Sequence, residues 1–162
     1  MKATFIIAAV FTLICFQGKT QLKGFSIGPY AEVIWPTGSL EETNENGIGA
    51  GLNADIRIGK FGLTASAGFI HFGGKTVAGN EGTAKFPAIN AIPVRAGIKY
   101  RLVPALYAKL EGGVASYTNG NSSAFILSPG IGLRVLGLDV QAKYETWINV
   151  GSGWGVKVGY NF

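Results

Sequence analysis

The ten residues from Gly153 to Phe162, GWGVKVGYNF, alternate with a strict period of two. Side chains point to opposite faces of a β-strand in turn, so Trp154, Val156, Val158, Tyr160 and Phe162 share one face and Gly155, Lys157, Gly159 and Asn161 the other. An exposed strand with such a bulky apolar face is a poor way to end a soluble fold. It suits a strand that closes a barrel in lipid, where acyl chains cover the apolar face and aromatics stand at the water boundary.

The same alternation runs through the chain. Residues 25–35 set Phe25, Ile27, Pro29, Ala31, Val33 and Trp35 against Ser26, Gly28, Tyr30, Glu32 and Ile34. Residues 48–58 set Ile48, Ala50, Leu52, Ala54, Ile56 and Ile58 against Gly49, Gly51, Asn53, Asp55 and Arg57. Five more stretches behave alike, near residues 61–72, 88–102, 105–117, 124–136 and 138–145. With the closing segment they predict eight strands, each long enough for a tilted span of the hydrocarbon layer. Connections near residues 37, 73, 118 and 148 are long, while turns near 59, 103 and 137 are minimal, as expected of a barrel with one rim of short turns and one of outer loops. The predicted fold class is all-β, an eight-stranded antiparallel up-and-down transmembrane β-barrel.

Charge placement tests this phase. Thirteen charges fall within the strands: Glu32, Asp55, Arg57, Arg95, Lys99, Arg101, Lys109, Glu111, Arg134, Asp139, Lys143, Glu145 and Lys157. All lie opposite the apolar series, an agreement that chance produces about once in 64 trials under the period-two rule. Lipid demands it, because Lys or Arg on the lipid face near the midplane costs roughly 2–4 kcal/mol. A lumen of eight strands has room for side chains and little else. Burial then forces pairing, so the thirteen are expected to form a plug of mutual ion pairs, with Lys109–Glu111 and Lys143–Glu145 sharing a network with Arg95, Arg134, Asp55 or Asp139. The eight bases against five acids leave a second reading, a narrow anion-preferring path or small-ligand site.

Outward aromatics fall in two girdles, Phe25, Phe61, Tyr100, Tyr160 and Phe162 at one rim and Trp35, Phe69, Phe125 and Trp154 at the other, with Tyr144 off both. Pro93 and Pro129 sit mid-strand, where bulges are expected because a closed barrel has no free edge to tolerate a missing N–H.

Residues 1–20 read as a signal peptide: Lys2, then an apolar run from Phe5 to Phe16, too short for a spanning helix, then a polar exit. Residues 21–162 form the barrel domain. Cys15 follows Ile14, where a lipid-modified cysteine needs a small residue, so a lipoprotein is disfavoured. The mature chain then lacks cysteine, which excludes disulfides, Cys-bound metals and thiol nucleophiles. Losing Lys2 and Lys19 lowers the formal charge from +5 to +3, too small and dispersed for a nucleic-acid partner. Charged residues make up 14% of the chain against roughly 25% in ordinary globular proteins, and its 25 glycines read as space inside a narrow barrel.

On its closing strand, export signal and eight dyad strands, the chain resembles the small eight-stranded outer-membrane barrels of the OmpA/OmpX type, and the outer-membrane-beta-barrel domain families that include PorT-like proteins. The resemblance implies a Gram-negative outer-membrane location and insertion by the barrel-assembly machinery, with Trp154, Tyr160 and Phe162 as the assembly signal. It implies no catalytic motif.

Other candidate sites are weaker. Gly74-Lys75-Thr76 imitates the end of a phosphate-binding loop, but Phe69 stands where the first glycine belongs and no helix follows. His71 is the only histidine, and an acyl-transfer site with Ser66 or Ser116 needs nucleophile, base and orienter to converge. Glu41, Glu42, Asn44, Glu45 and Asn46 lack the spacing of a calcium loop and read as a solvated loop. The expectation is a non-enzymatic scaffold or interaction subunit without cofactor or metal, its partners being outer-membrane lipid and other outer-membrane proteins. A lipid-modifying enzyme is the least favoured alternative.

Overall fold

The computed structural model describes residues 24–79, 82–120 and 122–162. The proposed signal peptide lies outside the described residues. Eight long strands close into one antiparallel barrel: β1 (Phe25–Thr37), β2 (Asn44–Ile58), β3 (Phe61–Gly74), β6 (Ile89–Arg101), β7 (Leu106–Tyr117), β8 (Ser123–Val135), β9 (Leu138–Trp147) and β10 (Gly151–Tyr160). Two shorter strands, β4 (Thr76–Gly79) and β5 (Gly82–Lys85), pair only with each other and form an arm between β3 and β6. A single helical turn, α1 (Ser39–Thr43), joins β1 to β2. Both were expected to be loop.

Each barrel strand pairs with its neighbours in sequence, and β1 closes on β10 through pairs such as Val33 with Val156 and Trp35 with Trp154. Closure satisfies the backbone without a free edge, which a bilayer requires. Leu136 and Gly137 both take positive φ, 51° and 88°, as a two-residue turn between β8 and β9 demands.

The faces point as the alternation predicts. Leu52, Ile98 and Val158 are exposed, while Glu32, Arg95 and Glu145 are buried at 2% or less. The outward apolar belt makes the surface one for lipid rather than water. Tyr144 corrects the girdle assignment: it stands opposite Trp154 in the β9–β10 ladder, ring centroids 5.0 Å apart, and so belongs to the loop-side girdle.

The expected bulges at Pro93 and Pro129 are absent. Pro93 faces Ala115 of β7 in register, and on its other side the β3–β6 ladder skips from Ala67–Val94 to Ile70–Ala91 without a shift. Pro129 likewise faces Leu110 of β7, while the β8–β9 ladder skips from Leu127–Thr146 to Gly130–Lys143. A residue's N–H and C=O point to the same side of a strand, so proline disturbs one ladder and spares the other. The one register shift among the described residues lies between Asn44 and Gly47, at the loop end of β2.

Inside the loop-side end lies a region the alternation did not anticipate. Ile34, Leu40, Ile70, Phe72, Ala91, Ala115, Ala124, Ile126 and Trp147 form a buried apolar cluster there, with Phe72 edge-on to Trp147 at 5.6 Å. Leu40 of α1 caps it. A Cβ on Gly151 would stand 2.6 Å from that of Leu40, so only glycine lets the cap seat.

Candidate functional site in the barrel lumen

Below the apolar cluster the lumen is filled by charge. Arg95 on β6 reaches across to Glu32 on β1, 3.3 Å away, and to Glu145 on β9, 2.9 Å away. Lys143 on β9 donates to the same two carboxylates at 2.5 and 2.6 Å. Two cations and two anions thus alternate in a ring, and Trp147 Nε1 donates to Glu145 at 2.7 Å, tying the ring to the apolar cluster. Such an array is tolerable in a dry lumen because each desolvated charge has two opposite neighbours.

A second network lies toward the short-turn end. Lys99 contacts Asp55 at 3.0 Å and Asp139 at 3.6 Å. Arg134 pairs with both carboxylates, its Nε donating to Asp139 at 2.6 Å, and its Nη1 donates to Ser26 at 3.3 Å. The Tyr107 hydroxyl also donates to Asp139. Between the networks Lys109 pairs with Glu111 at 3.1 Å, and Ser66 donates weakly to Glu111 at 3.5 Å.

All five strand carboxylates are therefore paired, as are five of the eight bases. Lys157 is buried without a hydrogen-bond partner among the described residues and lies 3.7 Å from the centre of the Tyr30 ring, whose face attracts a cation. Arg57 and Arg101 are set apart at the short-turn mouth, Arg57 exposed and Arg101 half-buried. The expected network thus joins ten of the thirteen residues by direct ion pairs.

Sequence reasoning missed the neutral partners. Tyr30 and Tyr107 fall on the inward face, so their lumen position was readable, but their contacts were not. Gly132 supplies the room for Tyr107, since a Cβ there would overlap the phenol ring. Gly47 does the same for Phe72.

The assembly-signal residues Trp154, Tyr160 and Phe162 face outward, with Tyr160 and Phe162 edge-on at 5.0 Å. His71 is also outward, its Nδ1 2.6 Å from Asn90 Oδ1. Ser66 points inward to Glu111, on the opposite face of β3, so the two do not converge. In the acidic segment Asn44 is spent on the backbone oxygens of Gly73 and Pro87, each at 3.3 Å. Among the described residues no three His, Cys, Asp or Glu side chains gather as a metal site.

No protein-family model matches the chain, and no curated protein sequence matches it. Solved structures do match. A structure described as "De novo design of transmembrane beta-barrels" is 18% identical with a TM-score of 0.59, covering 86% of this chain and 96% of that one. The Yersinia pestis outer membrane protein Ail, solved in a phospholipid bilayer nanodisc, is 13% identical with a TM-score of 0.54, covering 86% of this chain and 99% of Ail. At this identity the likeness concerns the fold alone. Together with the closed ladder and apolar belt, it defines the fold as a small eight-stranded transmembrane β-barrel.

Proposed function

We propose that the protein is a non-enzymatic outer-membrane β-barrel that works as a scaffold or interaction subunit through its loop-side surface. In this reading residues 1–20 direct export, the barrel-assembly machinery recognises the closing strand through Trp154, Tyr160 and Phe162, and outer-membrane lipid covers the belt. The observation that carries the reading is the doubly blocked lumen, with a ring of ion pairs beneath an apolar plug. Side chains that block the lumen favour the loop-side surface as the place of contact with other proteins.

The loop face is built to hold a shape. Lys75 N donates to Thr43 O at 2.9 Å and Lys75 Nζ to Glu41 O at 2.6 Å, which ties the β4–β5 arm to α1. Ser39 Oγ donates to Val150 O at 3.3 Å, tying α1 to the β9–β10 loop. Two measurements test the proposal. Purified protein in planar bilayers is expected to give no stepwise conductance, and removing residues 76–85 is expected to change the set of outer-membrane proteins recovered with it from native membranes. Steady single-channel steps, or an unchanged set of companions, overturns the scaffold reading.

A further inference from the structure

Among the described residues the lumen is sealed at its loop end and open at its short-turn end. A cavity of about 360 Å3 enters the barrel there and ends blindly on the Lys99–Asp55–Arg134–Asp139 network. Its volume is in the range of small-molecule sites, about 300–1,000 Å3. Among the described residues five cationic side chains line it, Arg57, Lys60, Lys99, Arg101 and Arg134, and one carboxylate side chain, Asp55.

Two of the five cations are already spent. Lys99 and Arg134 are held by Asp55 and Asp139. Arg57, Lys60 and Arg101 have no carboxylate within ion-pair distance among the described residues. The fold itself gathers these three. Arg57 is the last residue but one of β2, Lys60 sits in the turn that follows, and Arg101 ends β6 with its backbone N donating to Lys60 O at 2.8 Å. Gly62 stands between Arg57 and Lys99 in the ladder, so no side chain fills the space between the two cations. Three uncompensated charges in a cleft with low-dielectric walls focus a positive field on its interior.

We propose that this vestibule is a binding site for a phosphate group, with Arg57 and Arg101 as the recognising residues and Lys60 as an added point charge. Guanidinium groups match the oxygens of a phosphate in pairs, and an ammonium adds charge without geometric demand. The site needs only the fold, whatever the loop face contacts. The phosphate has two sources at this rim, a soluble phosphorylated molecule entering from the water or the headgroup of a lipid in the adjacent leaflet.

The test uses the full mature chain refolded in non-ionic detergent and titrated with pyrophosphate by calorimetry. Saturable binding is expected, weaker by about tenfold or more in Arg57→Gln/Arg101→Gln, because hydrogen bonds to charged groups are lost. Lys85→Gln, in the β4–β5 arm at the loop end, is expected to bind as the wild type does. Neither arginine makes an ion pair among the described residues, so the double variant is expected to fold; far-UV circular dichroism checks this, and Lys60→Gln supplies an independent weakening. No saturable binding, or equal affinity in wild type and double variant, overturns the proposal. Repeating the titration in nanodiscs separates the sources. If zwitterionic phosphatidylcholine, whose headgroup carries a phosphate, lowers the affinity for pyrophosphate relative to the phosphate-free detergent, the lipid headgroup occupies the site; equal affinity assigns it to a soluble phosphate.

Discussion

Arg95→Met tests whether the lumen is closed. Arg95 is 1% exposed, and its guanidinium holds Glu32 at 3.3 Å and Glu145 at 2.9 Å. Methionine refills much of the volume but none of the charge, leaving the two carboxylates to share Lys143. Removing one partner of a buried ion pair costs about 3–5 kcal/mol, because the remaining charge stays desolvated. With a urea slope of about 2 kcal/mol per molar, a loss near 4 kcal/mol moves the unfolding midpoint down by about 2 M. The assay is reversible urea unfolding in lipid vesicles, followed by tryptophan fluorescence. Adding Glu145→Gln to Arg95→Met should recover about 1–3 kcal/mol, the usual coupling between contacting groups, since the neutral amide no longer competes with Glu32 for Lys143. A midpoint shift below about 0.5 M for Arg95→Met refutes the reasoning. It would mean that water solvates Glu32 and Glu145, and that the ring does not seal the barrel.

Three further outcomes follow from which way each face points. Leu52→Arg, on the outward face mid-strand, should cost about 2–4 kcal/mol in the same assay, against about 0–1 for Ile58→Arg at the rim; equal costs would count against the lipid belt. In single-tryptophan variants, brominated acyl chains should quench Trp35 and Trp154 but spare Trp147, which is 3% exposed inside the barrel; strong quenching of Trp147 would reverse the assignment of faces. Gly28→Ala would overlap the carbonyl oxygen of Tyr160 at the seam where β1 meets β10, so the folded, detergent-resistant band on gels should be lost; a band like that of the wild type would show that the seam can yield.

The outward face was legible because lipid penalises every charge on it, so the thirteen strand charges mark the inward phase wherever they occur. That signal fades at the loop end. Ile34, Ile70, Phe72, Ile126 and Trp147 are inward but apolar, as are their outward neighbours Trp35, Phe69, Phe125 and Ile148, and polarity no longer separates the faces. The ion-pair partners were equally hard to read. Arg95 bonds across the lumen to β1 and β9, neither of which flanks β6, and no local pattern encodes such a contact. Lys60 lies in a minimal turn, where no alternation assigns a face, and the Arg101–Lys60 backbone bond puts it at the cavity mouth.

The lumen has a direction that the charge count alone conceals. From the loop side inward it runs from an apolar plug, through a ring whose two acids cancel two bases, to a second network and a cationic vestibule. A conducting path would need polar groups along its whole length, and the plug interrupts them. Of the three strand bases left without a carboxylate, Arg57 and Arg101 stand at the short-turn mouth beside Lys60, while the third, Lys157, is buried against the Tyr30 ring. An anion drawn to that mouth meets Lys99 and Arg134 already engaged with Asp55 and Asp139, and it can go no further without breaking pairs that the protein fold holds in place. The same positive charge that first pointed to an anion-selective channel is thus more consistent with a dead-end site.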